Sequence, residues 1–343
     1  MGTTNFDWVE VSGVPTLGIS GAPLFTGNWF FVDPVNGSDG NTGQANNPFQ
    51  SLYWAHKNMT AGNNDVCVLV GNGASSGTAR LSLAAAQAVD STVTAGTLVW
   101  TKNACHLIGQ TAPTVVAQRA RIAPPTGVYT AATFGSGNFV TVSAAGCYFA
   151  NFSLFNGFST GGTNQICWTD TGGRNCYVNV DFGGMGDAVS AGDAGSRSLK
   201  ISGTVGESTY VGCNLGLDTV TRTAANATVE FAGGTPRNTF IGCNFAFQTS
   251  ASTPLGFIGT GAANMDRWQK FDRCTFINNV QSGSTTMAGL GTLAASAGGL
   301  LLMKDATLVG ITEFGTDATT RGQVYVDGAS VVAATSGIAV NPT

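Results

Sequence analysis

A six-residue phrase returns about every 30 positions along the second half of this chain. It reads Phe149-Ala-Asn-Phe-Ser-Leu154, Tyr177-Val-Asn-Val-Asp-Phe182, Tyr210-Val-Gly-Cys-Asn-Leu215, Phe240-Ile-Gly-Cys-Asn-Phe245, Phe271-Asp-Arg-Cys-Thr-Phe276 and, more loosely, Met303-Lys-Asp-Ala-Thr-Leu308. Counted between last residues, the intervals are 28, 33, 30, 31 and 32. Self-similarity at such a period dictates architecture, because each unit buries its apolar face only by stacking on the next. The phrase is too short and too β-rich for a helical repeat, and its apolar residues alternate as in a half-buried strand. One strand per period, with turn residues between, describes the rungs of a coil. The fold class expected is therefore all-β, a right-handed parallel β-helix (solenoid).

Composition agrees with a stiff β coil. Only 10% of residues are charged, against about 25% in an average soluble protein. With 43% hydrophobic residues and 48 glycines, this is not a disordered composition, which needs low hydrophobicity and high net charge. The formal net charge is −4 and the isoelectric point about 5.0. The 15 basic residues are scattered, which excludes a nucleic-acid partner that needs clustered cations. The start, Met1-Gly-Thr-Thr-Asn-Phe-Asp-Trp8, has neither the basic nor the apolar region of a signal peptide. No apolar run approaches membrane length. The chain is expected to be made in a cytoplasm, with no membrane partner.

Three regions follow from a pass along the chain. Residues 1–27 match no repeat and form an N-terminal arm. Phe6, Trp8, Val11, Val14 and Leu17 make it too apolar for a free linker, so these five are the candidate assembly residues. The alternative is that the arm folds back along the coil. Residues 28–309 form the β-helix. Its entry runs from the strand Trp29-Phe-Phe-Val32 through a turn cluster to an amphipathic segment, 50–59, with Leu52, Tyr53, Ala55 and Met59 on one helical face. That segment is expected to be a short capping helix covering the open end of the first rung. Residues 84–88 read as a further short helix. Residues 310–343 read as C-terminal strands or a cap.

Sites of chemistry are sparse. Cys213, Cys243 and Cys274 fill one slot of consecutive phrases and stack about 4.8 Å apart in a coil. Phe152, Val180 and Ala306 fill the same slot, so it asks for buried apolar volume rather than a metal. The absence of any CxxC pair agrees. His56 and His106 have no partner at ligand spacing. No metal or cofactor is expected. The slot before the last residue of each phrase holds Ser153, Asp181, Asn214, Asn244, Thr275 and Thr307, read as an outward, solvated polar column. The densest acid/base region is Asp170, Arg174, Asp181, Asp187, Asp193 and Arg197, with Trp168 as a sugar-stacking face. Asp170, Asp181, Asp187 and Arg174 are the alternative catalytic set, since glycosidases need two carboxylates and lyases a basic residue.

The entry module together with the rungs resembles the pectin-lyase-like β-helix superfamily over residues 28–309. That resemblance implies the fold and leaves the function open, because the fold hosts enzymes, spikes and structural proteins. Three segments, beginning at Phe25-Thr-Gly-Asn-Trp, Gly234-Thr-Pro-Arg-Asn and Gly315-Thr-Asp-Ala-Thr, look like virion proteins of tailed bacteriophages. This implies a particle component. The expectation is a non-enzymatic virion protein, a capsid decoration protein stabilising the head, homotrimeric, with the major capsid protein or other virion subunits as partners. The alternative is a tailspike or receptor-binding protein that binds or cleaves host polysaccharide, with a glycan as partner.

Overall fold

The computed structural model describes residues 10–11, 14–15, 25–71, 81–82, 98–112, 114–115, 120–123, 138–154, 165–224, 226–249, 255–259, 265–279, 291–293, 299–311, 324–327 and 329–330. Three stacked sheets wind into a parallel β-helix. The long sheet has eleven strands among the described residues. Its rungs are Trp29–Val32, Val66–Val70, His106–Gln110, Tyr148–Ala150, Cys176–Val178, Thr209–Val211, Thr235–Ile241, Met265–Asp272, Leu300–Lys304 and Val324–Val326, all parallel, with Ala329–Ser330 antiparallel at the end. A sheet of eight short strands includes Ser153–Leu154, Asp181–Phe182, Asn214–Leu215, Asn244–Phe247 and Thr275–Asn278. A third sheet of seven includes Asn138–Val142, Ile166–Asp170, Arg197–Ser202, Ala227–Ala232 and Leu255–Gly259.

Each turn thus carries three strands where the sequence pattern predicts one. The repeated phrase is itself two strands separated by a corner. The corner residue takes a left-handed backbone at Asn151, Asn179, Gly212, Gly242, Arg273 and Asp305, with φ of 59°, 52°, 58°, 59°, 53° and 49°. A Cβ at Gly212 or Gly242 would meet nothing within 4 Å. The glycines there serve conformation rather than space, since a left-handed φ costs a side-chain-bearing residue about 1 kcal/mol.

The phrase works because its first residue enters the coil. Phe149, Tyr177, Tyr210, Phe240 and Phe271 occupy one register column of the long sheet. Their rings stack at 5.0, 4.6, 4.5 and 4.9 Å, within 11° of parallel. Each is fully buried and contributes about 1.5–3 kcal/mol of burial. The Cys213–Cys243–Cys274 slot is buried beside it, and these thiols reach the carbonyls of Tyr177, Tyr210 and Phe240 at 3.4–3.5 Å.

The open N-terminal end is closed by α1, Leu52–Asn58, whose cap residue Ser51 accepts from Trp54 N. Leu52, Tyr53, Ala55 and Met59 are buried against the first rungs. The acids of this region hold backbone: Asp65 accepts from Asn28 N and Thr60 N at 2.7 Å, and Asp39 from Ser51 N at 2.8 Å. The region around residues 84–88 lies outside the described residues, as do Phe6, Trp8 and Leu17. Val11 and Val14 are register partners in a two-stranded antiparallel pair, Glu10–Val11 with Val14–Pro15.

Both histidines are structural. His56 Nε2 accepts from Thr101 N at 3.2 Å, and His106 Nδ1 from Tyr148 N at 3.0 Å. Burial, helped by the Lys102 charge, pushes His56 down to about 4 from 6.5. The unfolded chain therefore binds this proton more readily between those values. Stability is complete above pH 6.5 and falls as pH drops from 6.5 to 4, by on the order of 2–3 kcal/mol from His56. Urea unfolding across this window should show the loss, and His56→Gln, which keeps an acceptor for Thr101, should reduce it.

Candidate functional site

The sequence-predicted acidic set does not form one site. Asp170 ends a strand of the third sheet and is buried inside the coil. Its Oδ1 accepts from Gly173 N and Asn175 Nδ2 at 3.0 and 3.1 Å, and its Oδ2 from Tyr177 Oη and Ser208 Oγ at 3.1 and 2.8 Å. Burial raises its pKa above the usual 3.8, against those bonds. Trp168 lies in the same interior, its Nε1 donating to Tyr177 Oη at 3.2 Å. It offers no exposed face to a sugar.

Asp181 belongs to the short-stranded sheet. The column there is not the solvated one read from the sequence: Ser153, Asp181 and Asn214 are buried. They form a ladder in which Ser153 Oγ and Asn214 Nδ2 donate to Asp181 at 3.0 and 2.9 Å, and Asn244 Nδ2 donates to Asn214 Oδ1 at 2.9 Å. Buried polar groups must be satisfied, and identical slots one rung apart satisfy each other. Of this column only Thr307 is exposed.

The other two members are placed by local structure. Asp187 caps α2, Ala188–Ala191, accepting from Val189 N and Ser190 N at 2.9 and 2.8 Å. Arg174 stands at a left-handed turn on the surface and pairs with Glu207 at 2.8 Å, which also pairs with Arg237.

A charged cluster does assemble on the third sheet, and Arg197 is its one member noted from the sequence. The register aligns Thr141, Thr169, Lys200, Glu230 and Ile258 in a column. Glu230 sits between two cations: Arg197 Nε lies 3.1 Å from Oε2 and Lys200 Nζ 3.4 Å from Oε1. Arg197 also donates to Ala194 O and Ser196 O at 2.7 Å, and feels the Asp193 charge. Beside it lies buried Arg222, bonded to Asn226 and Thr228 and stacked 5.3 Å from the Phe247 centroid. Burial, and repulsion from Arg197, push Arg222 down to about 9. The Lys200 side chain is 27% exposed while those of Arg197 and Glu230 are 7% and 12% exposed. Lys200 is thus the group that meets solvent, on a platform held by Glu230. Among the described residues no three His, Cys, Asp or Glu side chains gather for a metal ion.

Fold and site define the class: a parallel β-helix carrying a basic cluster on one sheet. No protein-family model and no curated protein matches the sequence. Solved structures do match. A pectin methylesterase in complex with a hexasaccharide aligns over 90% of this chain and 92% of its own, at 15% identity and a TM-score of 0.54. A pectin methylesterase from Erwinia chrysanthemi aligns over the same shares at 14% identity and a TM-score of 0.53. A rhamnogalacturonan lyase aligns over 82% of this chain and 68% of its own, at 13% identity and a TM-score of 0.51. At these identities the likeness is one of fold. It agrees with the parallel β-helix fold that the resemblance implies, and none of these three structures is a virion protein. The expectation of a non-enzymatic chain is corrected: structures that share the coil over most of its length are enzymes, so the scarcity of paired carboxylates is no ground for setting catalysis aside.

Proposed function

We propose that this chain engages an acidic polysaccharide at the Lys200–Arg197–Glu230 cluster. The observation that carries it is the convergence of three cations, Arg197, Lys200 and Arg222, in a chain of formal net charge −4. Lys200 offers a uronate carboxylate a partly exposed side chain, and Glu230 holds its ammonium in place. An uncharged polymer would not use this arrangement. Processing of the bound polymer is part of the proposal, with Lys200 and Glu230 as the side chains that face the sugar ring. The resemblance of the segments at Phe25, Gly234 and Gly315 to phage virion proteins supports a particle-borne protein that meets its polysaccharide on a host surface.

Polygalacturonate and neutral dextran, each titrated against the protein, test the reading. Retention of the uronate polymer alone, weakened as salt screens the cluster, is the expected outcome. Equal retention of both, or of neither, ends it.

A further inference from the structure

The last rungs of the long sheet carry a cavity that shares no residue with the Lys200 cluster. Those rungs set Lys270, Leu302 and Tyr325 in one register column. Leu300 and Lys304 lie two residues to either side of Leu302, hence on the same face of the sheet. The residues between them, Leu301 and Met303, are buried in the core with Phe271 and Val324, so this face looks outward. With Asp327, these five line a cavity of about 650 Å³. Leu300 is 39% exposed, and Leu302 and Tyr325 are half-buried. An apolar floor with a few polar groups at its edge, in a volume of this size, is the usual form of a small-molecule site.

The polar edge is cationic. Lys270 Nζ lies 3.0 Å from Asp272 Oδ2, and Arg273 Nε lies 3.3 Å from Oδ1 of the same carboxylate. Asp272 is held below the usual carboxylate range chiefly by the Lys270 hydrogen bond, and the Lys304 and Arg273 charges act in the same direction. Three cations thus converge on one carboxylate. Lys304 meets Asp305 at 4.0 Å, with both side chains 61% exposed, and an ion pair so open to water neutralises little. Asp327 is the one acid among the described lining residues, and its Oδ1 accepts from Asp305 N at 3.0 Å. The cavity therefore offers two ammoniums, Lys270 and Lys304, beside an apolar floor.

We propose that this cavity binds a small amphipathic carboxylate, its apolar body on Leu300, Leu302 and Tyr325 and its carboxylate between Lys270 and Lys304. Both halves of such a ligand find a partner. A neutral apolar molecule leaves the ammoniums unused, and a short polar anion leaves the floor in contact with water, which costs about 25 cal/mol per Å² of apolar surface. A uronate, polar all round its ring, is a poor match to the Leu302 floor. The site is therefore separate from the Lys200 cluster in place and in ligand.

Octanoate is the probe, titrated calorimetrically into the full chain, with 1-octanol and acetate as comparisons. Octanoate should bind at least tenfold more tightly than either. Absence of octanoate binding, or equal binding of 1-octanol, overturns the proposal. Leu302→Asp, which puts a carboxylate on the floor, should weaken octanoate at least tenfold. If that variant fails circular dichroism, the double variant Lys270→Ala, Lys304→Ala decides, because it trims only side chains that are 37% and 61% exposed. It too should lose at least tenfold, and unchanged affinity sinks the site. Lys200→Ala should bind octanoate as the wild type does. A tenfold loss there would place the carboxylate on the third sheet and overturn the assignment.

Discussion

Phe240→Ala should cost the coil about 3–5 kcal/mol, read as a fall in the urea midpoint at unchanged slope. Phe240 is fully buried and stacks on Tyr210 at 4.5 Å and Phe271 at 4.9 Å. Its edge contacts reach Phe231 at 6.4 Å and Phe245 at 5.8 Å. Removing the ring takes away its burial and both stacking partners, and rings above and below cannot close the gap without breaking strand register. Stacking adds about 0.5–1.5 kcal/mol per pair beyond area. Because a solenoid's rungs are stabilised by their neighbours, hydrogen exchange should rise first in Thr209–Val211 and Met265–Asp272, the strands paired on either side. A loss below about 1 kcal/mol, the scale of a surface change, would mean the aromatic column is not the spine of the fold.

Asp170→Leu should be comparably damaging, by about 3 kcal/mol or more, because Tyr177 Oη, Ser208 Oγ, Asn175 Nδ2 and Gly173 N lose a shared acceptor inside the coil. Asp170→Asn keeps the shape and should cost less. The pair also separates by pH. The folded-state pKa of Asp170 lies above 3.8, chiefly through burial, so the folded chain holds this proton more tightly than the unfolded chain does. Its contribution is complete below pH 3.8 and is lost as pH rises through the folded value. Over that window Asp170 should therefore subtract from the rise in stability that His56 gives with increasing pH, and the rise should be steeper in Asp170→Asn than in the wild type. An identical slope in both would place the shifted proton elsewhere.

The coil was legible because one column repeats: Phe149, Tyr177, Tyr210, Phe240 and Phe271 are large apolar residues at near-constant spacing, and burial demands that. The capping helix was legible from the Leu52, Tyr53, Ala55, Met59 face; its cap residue Ser51 was not. The third strand of each turn was not. Ile166–Asp170, Arg197–Ser202 and Ala227–Ala232 share register but little sequence, since the connections before them differ in length and chemistry.

Acids misled for a related reason. A count of carboxylates near residue 181 cannot distinguish a helix cap at Asp187, an interior hub at Asp170 and a ladder rung at Asp181. A signal for the cluster was present, however. Lys200 and Glu230 are 30 residues apart, the same interval as Tyr210 and Phe240. A search for like carboxylates at rung spacing passes over that opposite-charge pair. Applying the interval to all charges would have found it.

The central claim, that the basic cluster on the third sheet meets an acidic polysaccharide, is tested most directly by the affinity of the protein and its Lys200→Ala variant for polygalacturonate at low salt. Lys200 is partly exposed and its loss leaves the coil's interior untouched, so the variant should fold normally and bind at least tenfold more weakly, about 1.4 kcal/mol. Undiminished binding by a folded Lys200→Ala protein would contradict the account.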